Sequence, residues 1–144
     1  MPAPMSKAER EAFLREPRPA ILSIPVPEKG PLSSPVWFDF APEVGLWILM
    51  QENSRKGKLV KVGSRITVCA QQEARPYRYV SVEGPVVDIV HYDINIDLKA
   101  MAARYLGGDG SVDFIENMRA KYAQGHGIKV TMRPEHWLSA DYTK

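Results

Sequence analysis

The sequence holds a single cysteine, Cys69. One thiol can form no disulfide within the chain and no cysteine-based metal site. It lies in an apolar run and reads as a buried structural thiol. Nothing here calls for an oxidising compartment. Long apolar runs are also missing. The longest, LWILM at 46–50, is five residues, against the roughly 20 a membrane helix needs. The opening stretch MPAPMSKAEREAFL has no apolar core of a secretory signal, so the cytoplasm is the expected location and no membrane partner is expected. Charge of one sign is scarce: 19 cations face 17 acids, for a net +2. That excludes a general polyelectrolyte binder. The three histidines, His91, His126 and His136, are scattered without metal-ligand spacing, so no metal site is expected.

What is present describes one ordinary domain. The chain has 144 residues, 44% of them apolar and 25% charged, enough to bury a core without cross-links. Ser6 to Leu14 reads as a short helix, with Ser6 and Glu9 spaced as a capping box. Ala20, Leu22, Ile24 and Val26 alternate as a strand. SSPVWFDF at 33–40 and LWILM at 46–50 read as the next two strands. Ile66, Val68 and Ala70 mark a fourth. Tyr79 to Val90 is a long fifth strand with an expected bend at Gly84-Pro85, and Ile128, Val130 and Met132 mark a sixth. Between them, Asn95 to Leu106 and Ser111 to Ala123 read as helices separated by GGDG; Leu98, Met101, Ala102 and Tyr105 share one face of the first. Few, late helices and tight turns predict a mainly β protein, a six-stranded antiparallel barrel filling residues 1–144 as a single domain.

One stretch departs from this even composition. NSRKGKLVKVGSR, at 53–65, carries Arg55, Lys56, Lys58, Lys61 and Arg65 and no acid. Asn53 or Ser54 is placed to cap a short helix and Gly63 to end it. Free backbone N–H groups, the Ser54 hydroxyl and the side chains of Arg55 and Lys56 would then make an anion site suited to a phosphate. Gly57 leaves room there for a close approach. Cations gathered at a helix start, where the dipole disfavours them, argue against a merely solvated face. They form one cluster and not a groove-long track, which argues against single-stranded nucleic acid.

The order of these pieces resembles a known family. LREPRPAILSI, SPVWFDF, SRKGKLVKVGSRITV, PYRYVSVEGPVVDI, AARYLGG and RPEHWLSADY together resemble the pyridoxamine 5'-phosphate oxidase-like split β-barrel family, over nearly the whole chain. More narrowly, the chain looks like subgroup B of the flavin/deazaflavin oxidoreductases, which use coenzyme F420. The resemblance implies a split β-barrel of the FMN-binding type and a homodimer with the cofactor at its interface. It implies that Ser54, Arg55 and Lys56 hold the cofactor phosphate, that Pro35, Val36 and Trp37 lie along the ring, and that Met50 faces it. Tyr77 would reach across from the second subunit, and the segment from Trp137 to Tyr142 would line the same groove. The family usually has Asn where this chain has Leu59, and Asp-Pro where it has Gly63-Ser64. The implied activity is an F420H2-dependent reductase passing hydride to an unsaturated small molecule. An FMN-dependent oxidase or reductase, or a non-catalytic carrier of cofactor or tetrapyrrole, are the alternatives. No catalytic side chain is named, as expected where the cofactor carries the chemistry.

Overall fold

The computed structural model describes residues 2–121 and 126–144. Eight strands and three α-helices are present among them: α1 (Lys7–Arg15), β1 (Ala20–Ile24), β2 (Leu32–Val36), β3 (Asp39–Ala41), β4 (Gly45–Gln51), α2 (Arg55–Leu59), β5 (Arg65–Gln72), β6 (Arg78–His91), α3 (Lys99–Lys121), β7 (Gly127–Met132) and β8 (His136–Asp141). A single π-helical turn, Ile94–Leu98, leads into α3.

All strand pairs are antiparallel. The order is β2-β1-β5-β6-β7-β4-β3, with β8 also paired to β6. Strand β6 is the spine. Its first half, Arg78 to Glu83, lies between β5 and β8, and its second half pairs with β7. The bend expected at Gly84-Pro85 falls where the chain from β7 to β8 crosses it. A Cβ on Gly84 would lie 1.9 Å from the Arg133 carbonyl oxygen, so only glycine lets the two backbones approach this closely. A register shift between Val86 and Asp88 follows. It adds twist where the strand passes from one sheet to the other.

The strand count corrects the sequence reading in two places. SSPVWFDF is two strands and not one: β2 pairs with β1, whereas β3 pairs with β4. The break falls at Trp37-Phe38 because side chains of α3 take the backbone groups a continuous strand would share. The Phe38 N–H donates to the Tyr105 hydroxyl at 3.1 Å, and the Arg104 Nε donates to the Phe38 carbonyl at 2.8 Å. The C-terminal stretch, read only as a closing segment, forms β8 against the free edge of β6.

Helix α1 begins as expected. Ser6 accepts from the Glu9 N–H, and the Glu9 carboxylate accepts from the Ser6 N–H. Its Phe13 and Leu14 enter the main core beside Leu22, Phe38, Ile48 and Val80, all essentially solvent-free. The GGDG segment breaks α3 only at Gly107, whose φ of +76° is left-handed. The second half of the helix therefore starts at residue 108, not at Ser111, and is described to Lys121. The predicted end at Ala123 lies outside the described residues. Trp47 is buried, with the Lys129 amine 4.6 Å from its ring. Cys69 differs from expectation. It is half-buried on the outer face of β5, and burial raises its thiol above the ordinary value, opposed by a hydrogen bond from Ser81.

Candidate functional site

A cavity of about 540 Å3 lies between the sheet and α3. That is within the roughly 300–1,000 Å3 typical of small-molecule sites. Its sheet wall is Pro35, Val36 and Trp37 from the β2 end, with Leu49, Met50 and Gln51 from β4. Its helical wall is Leu98, Met101, Phe114 and Met118, and Pro19, Lys56 and Tyr92 complete the lining. Five of the eight residues named from the sequence thus meet on one surface: Pro35, Val36, Trp37, Met50 and Lys56.

The sheet wall is held by α3. Trp37 stacks on Tyr105, with ring centroids 4.9 Å apart and planes within 5°. The Tyr105 hydroxyl donates to carbonyls in reach at Arg18 (2.9 Å) and Phe38 (3.0 Å), so that ring is fixed. Phe114 meets Trp37 from another side at 5.3 Å. Beside it, Arg104 gives its guanidinium to the carbonyls of Phe38, Leu14, Arg15 and Glu16, and lies 3.3 Å from Asp39. These contacts set where Trp37 stands.

The polar side chains of the lining come from the ends of β4 and β6 and from α2. Among the described residues the Lys56 amine has no hydrogen bond or ion pair. Burial lowers its amine below the ordinary lysine value, because a cation near apolar walls loses hydration. Gln51 Nε2 donates to the Tyr92 hydroxyl at 3.3 Å. The Tyr92 ring is seated on Gly127, where a Cβ would meet it at 2.2 Å.

The other named residues have different positions. Ser54 caps α2: its hydroxyl accepts from the Gly57 N–H at 3.0 Å and donates to the Gln51 carbonyl at 2.6 Å. Both bonds are local, so Ser54 sets the helix start that carries Lys56. Ser54→Ala is expected to cost about 1 kcal/mol of local stability. Faster hydrogen exchange at the Gly57 amide, with a nearly unchanged global melting point, would show this. Arg55 is exposed and outside the lining. Helix α2 is shorter than expected. It ends at Leu59, and Gly63, with φ +94°, turns the chain later. Gly57 serves the chain's own packing and not a ligand's: a Cβ there would lie 2.3 Å from the Gln51 carbonyl oxygen.

Tyr77 is 47% exposed and does not line the cavity of the single chain. The segment from Trp137 to Tyr142 does not line the cavity of the single chain either. It is spent on β8, where Trp137 packs edge-on against Phe40 at 6.1 Å and under Arg10. Pro19, Leu49, Gln51, Tyr92 and the whole helical wall were not singled out as site residues. Leu98 and Met101 carried the only signal, a helical spacing that core residues share.

The described residues contain no group of His, Cys, Asp and Glu arranged to hold a metal. His91 and His126 both meet Glu52, each at 3.2 Å. Those bonds, first from His91 and then from His126, hold the Glu52 carboxyl below its usual value. No helix among the described residues is long and apolar enough to cross a membrane.

Comparison with protein-family models and with curated proteins gives no match. Solved structures do match. A protein described as an F420 reductase superposes with a TM-score of 0.68 at 20% identity, over 89% of this chain and 94% of that one. HutZ, the heme storage protein of Vibrio cholerae, gives 0.65 at 14% identity, over 93% and 94%. The FAD-binding protein of Mycobacterium smegmatis gives 0.62 at 13% identity, over 96% and 98%. At these identities the likeness is one of fold: a mainly β, curled antiparallel sheet of the split-barrel class.

Proposed function

We propose that the cavity binds a flavin-type cofactor and that the protein is an F420H2-dependent reductase. The observation that supports this most is the cavity's polarity: an apolar, aromatic wall along Pro35, Val36 and Trp37, and in the same lining one desolvated cation, Lys56, whose amine is unpaired among the described residues. Such a lining fits a flat ring that carries an anionic phosphate. A charge-assisted bond from Lys56 would relieve the desolvation its amine suffers without a ligand. The solved structures of similar fold include proteins described as an F420 reductase and as FAD-binding, which agrees with this reading.

When bound, the reduced deazaflavin supplies hydride to an unsaturated organic substrate. The chain's residues position and shield. Trp37, fixed by Tyr105, gives a rigid surface for the ring, and Leu49 and Met50 keep water from it. Lys56 anchors the phosphate, while Ser54 acts through the start of α2. Arg55, exposed next to Lys56 on α2, would meet a longer anionic tail in this reading.

A second copy of the chain completes the site in this reading. The outer face of the sheet aligns Pro35, Ile21, Cys69, Ser81 and Leu138 across β2, β1, β5, β6 and β8. Ile21 is 45% and Leu138 61% exposed, which suits an interface between copies. Tyr77 would then reach the partner's cavity.

Titration of the purified protein with F420, FMN and FAD, followed by fluorescence, tests the reading. Tight binding of F420 supports it. Preference for FMN moves the protein to an FMN-dependent oxidase or reductase, because a phosphate site serves either ring. Binding of none removes the proposal.

A further inference from the structure

The helical wall carries a property that the cofactor reading does not use. Leu98, Met101, Phe114 and Met118 are all apolar, whereas the polar lining residues Gln51, Lys56 and Tyr92 come from β4, α2 and the chain just after β6. Phe114 and Met118 are four residues apart and half-buried, so they share a helix face one turn apart. They reach the cavity because α3 breaks at Gly107 and its second half takes its own direction.

This wall is built apart from the main core. Leu98, Ala102 and Ile115 form a separate small cluster, against which Leu49, Phe114 and Met118 pack. Among the described residues, side-chain bonds of the second half are local or reach the π-helical turn: Ser111 Oγ donates to the Gly108 carbonyl, and Arg119 bonds Asn95. Side chains here can differ in size and shape without disturbing the barrel. Methionine, unbranched and polarizable, adapts to varied apolar shapes.

We propose that the helical wall, through Phe114 and Met118, selects an uncharged, apolar second substrate. This rests on the cofactor lying along the sheet wall, which leaves the helical side to the substrate. A charged or strongly polar group there would lose its hydration and find no partner on that wall.

The test uses N-phenyl-1-naphthylamine, an uncharged apolar probe that fluoresces when it leaves water. It is titrated onto wild type, Met118→Glu, Phe114→Ala and Met118→Leu, alone and with saturating F420 or FMN. In the expected result the probe binds the cofactor-loaded wild type. Met118→Glu weakens it by about tenfold or more, because a buried carboxylate is costly. Phe114→Ala also weakens it and Met118→Leu retains it, and cofactor affinity stays within about twofold in the two Met118 variants. Circular dichroism confirms folding, and Phe114→Ala alone carries the test if Met118→Glu does not fold. The proposal is overturned if probe affinity ignores both substitutions, if bound cofactor excludes the probe, or if cofactor affinity falls in step with that of the probe in Met118→Glu. If no cofactor binds, the proposed function fails by itself. Probe binding to the protein alone then still decides whether Phe114 and Met118 select apolar ligands.

Discussion

Replacing Arg104 with alanine is expected to destabilise the protein by about 3 kcal/mol or more. The side chain is only 12% exposed and paired with Asp39. It donates to four backbone carbonyls: those of Leu14, Arg15 and Glu16 at the end of α1, and that of Phe38 between β2 and β3. Alanine would leave these acceptors without their charged donor and open space beside the Phe38 and Tyr105 rings, over which the guanidinium lies at 5.3 and 5.5 Å. A protein of this size should lose roughly 10 °C in melting temperature. Lysine would not restore the loss, since one ammonium cannot reproduce a planar fork serving several carbonyls. Thermal and urea denaturation of Arg104→Ala and Arg104→Lys measure this. A loss below about 1 kcal/mol would show that α1 and Trp37 are held in place by apolar packing alone.

The second large effect falls on binding. Lys56→Ala is expected to weaken the cofactor by about 1.5–3 kcal/mol, the value of one charged hydrogen bond. Stability should move the other way. The folded protein holds the Lys56 amine below its ordinary value by desolvation. The unfolded chain therefore binds that proton more strongly. The lysine penalises folding while it is charged, and the penalty fades as pH rises from the folded value toward the unfolded one. Lys56→Met should thus melt no lower than wild type at neutral pH while binding cofactor worse, the opposition expected of a site residue. Titration calorimetry and thermal melts on the same samples give both quantities. A variant that melts lower and binds as well as wild type would make Lys56 a packing residue.

Local signals carried most of the fold. The Ser6 and Glu9 spacing gave α1 its start, period-two alternation marked β1, β5 and β7, and Gly84-Pro85 marked the place where β6 changes its strand partners. The features that escaped are set by residues far along the chain. Nothing within SSPVWFDF announces that Arg104 and Tyr105, more than sixty residues on, will take the backbone groups of Phe38. Strand β8 depends on a free edge of β6 that its own six residues do not reveal. The site divides in the same way. Pro35, Val36, Trp37 and Met50 were expected from the family resemblance and Lys56 from the basic stretch that carries it, whereas Leu49 and Gln51 beside Met50 escaped. The helical wall was not legible, because Met101 at helical spacing looks the same whether it faces a core or a cavity. Ser54 was legible as a cap, and the capping itself, not a ligand, accounts for the bonds its hydroxyl makes.

The most direct measurement is a crystal structure of the protein with whichever of F420, FMN or FAD it binds. The account predicts the ring along Pro35, Val36 and Trp37, with a phosphate oxygen about 3 Å from the Lys56 amine. A cofactor held elsewhere on the chain, or one whose phosphate leaves Lys56 unpaired, would contradict it.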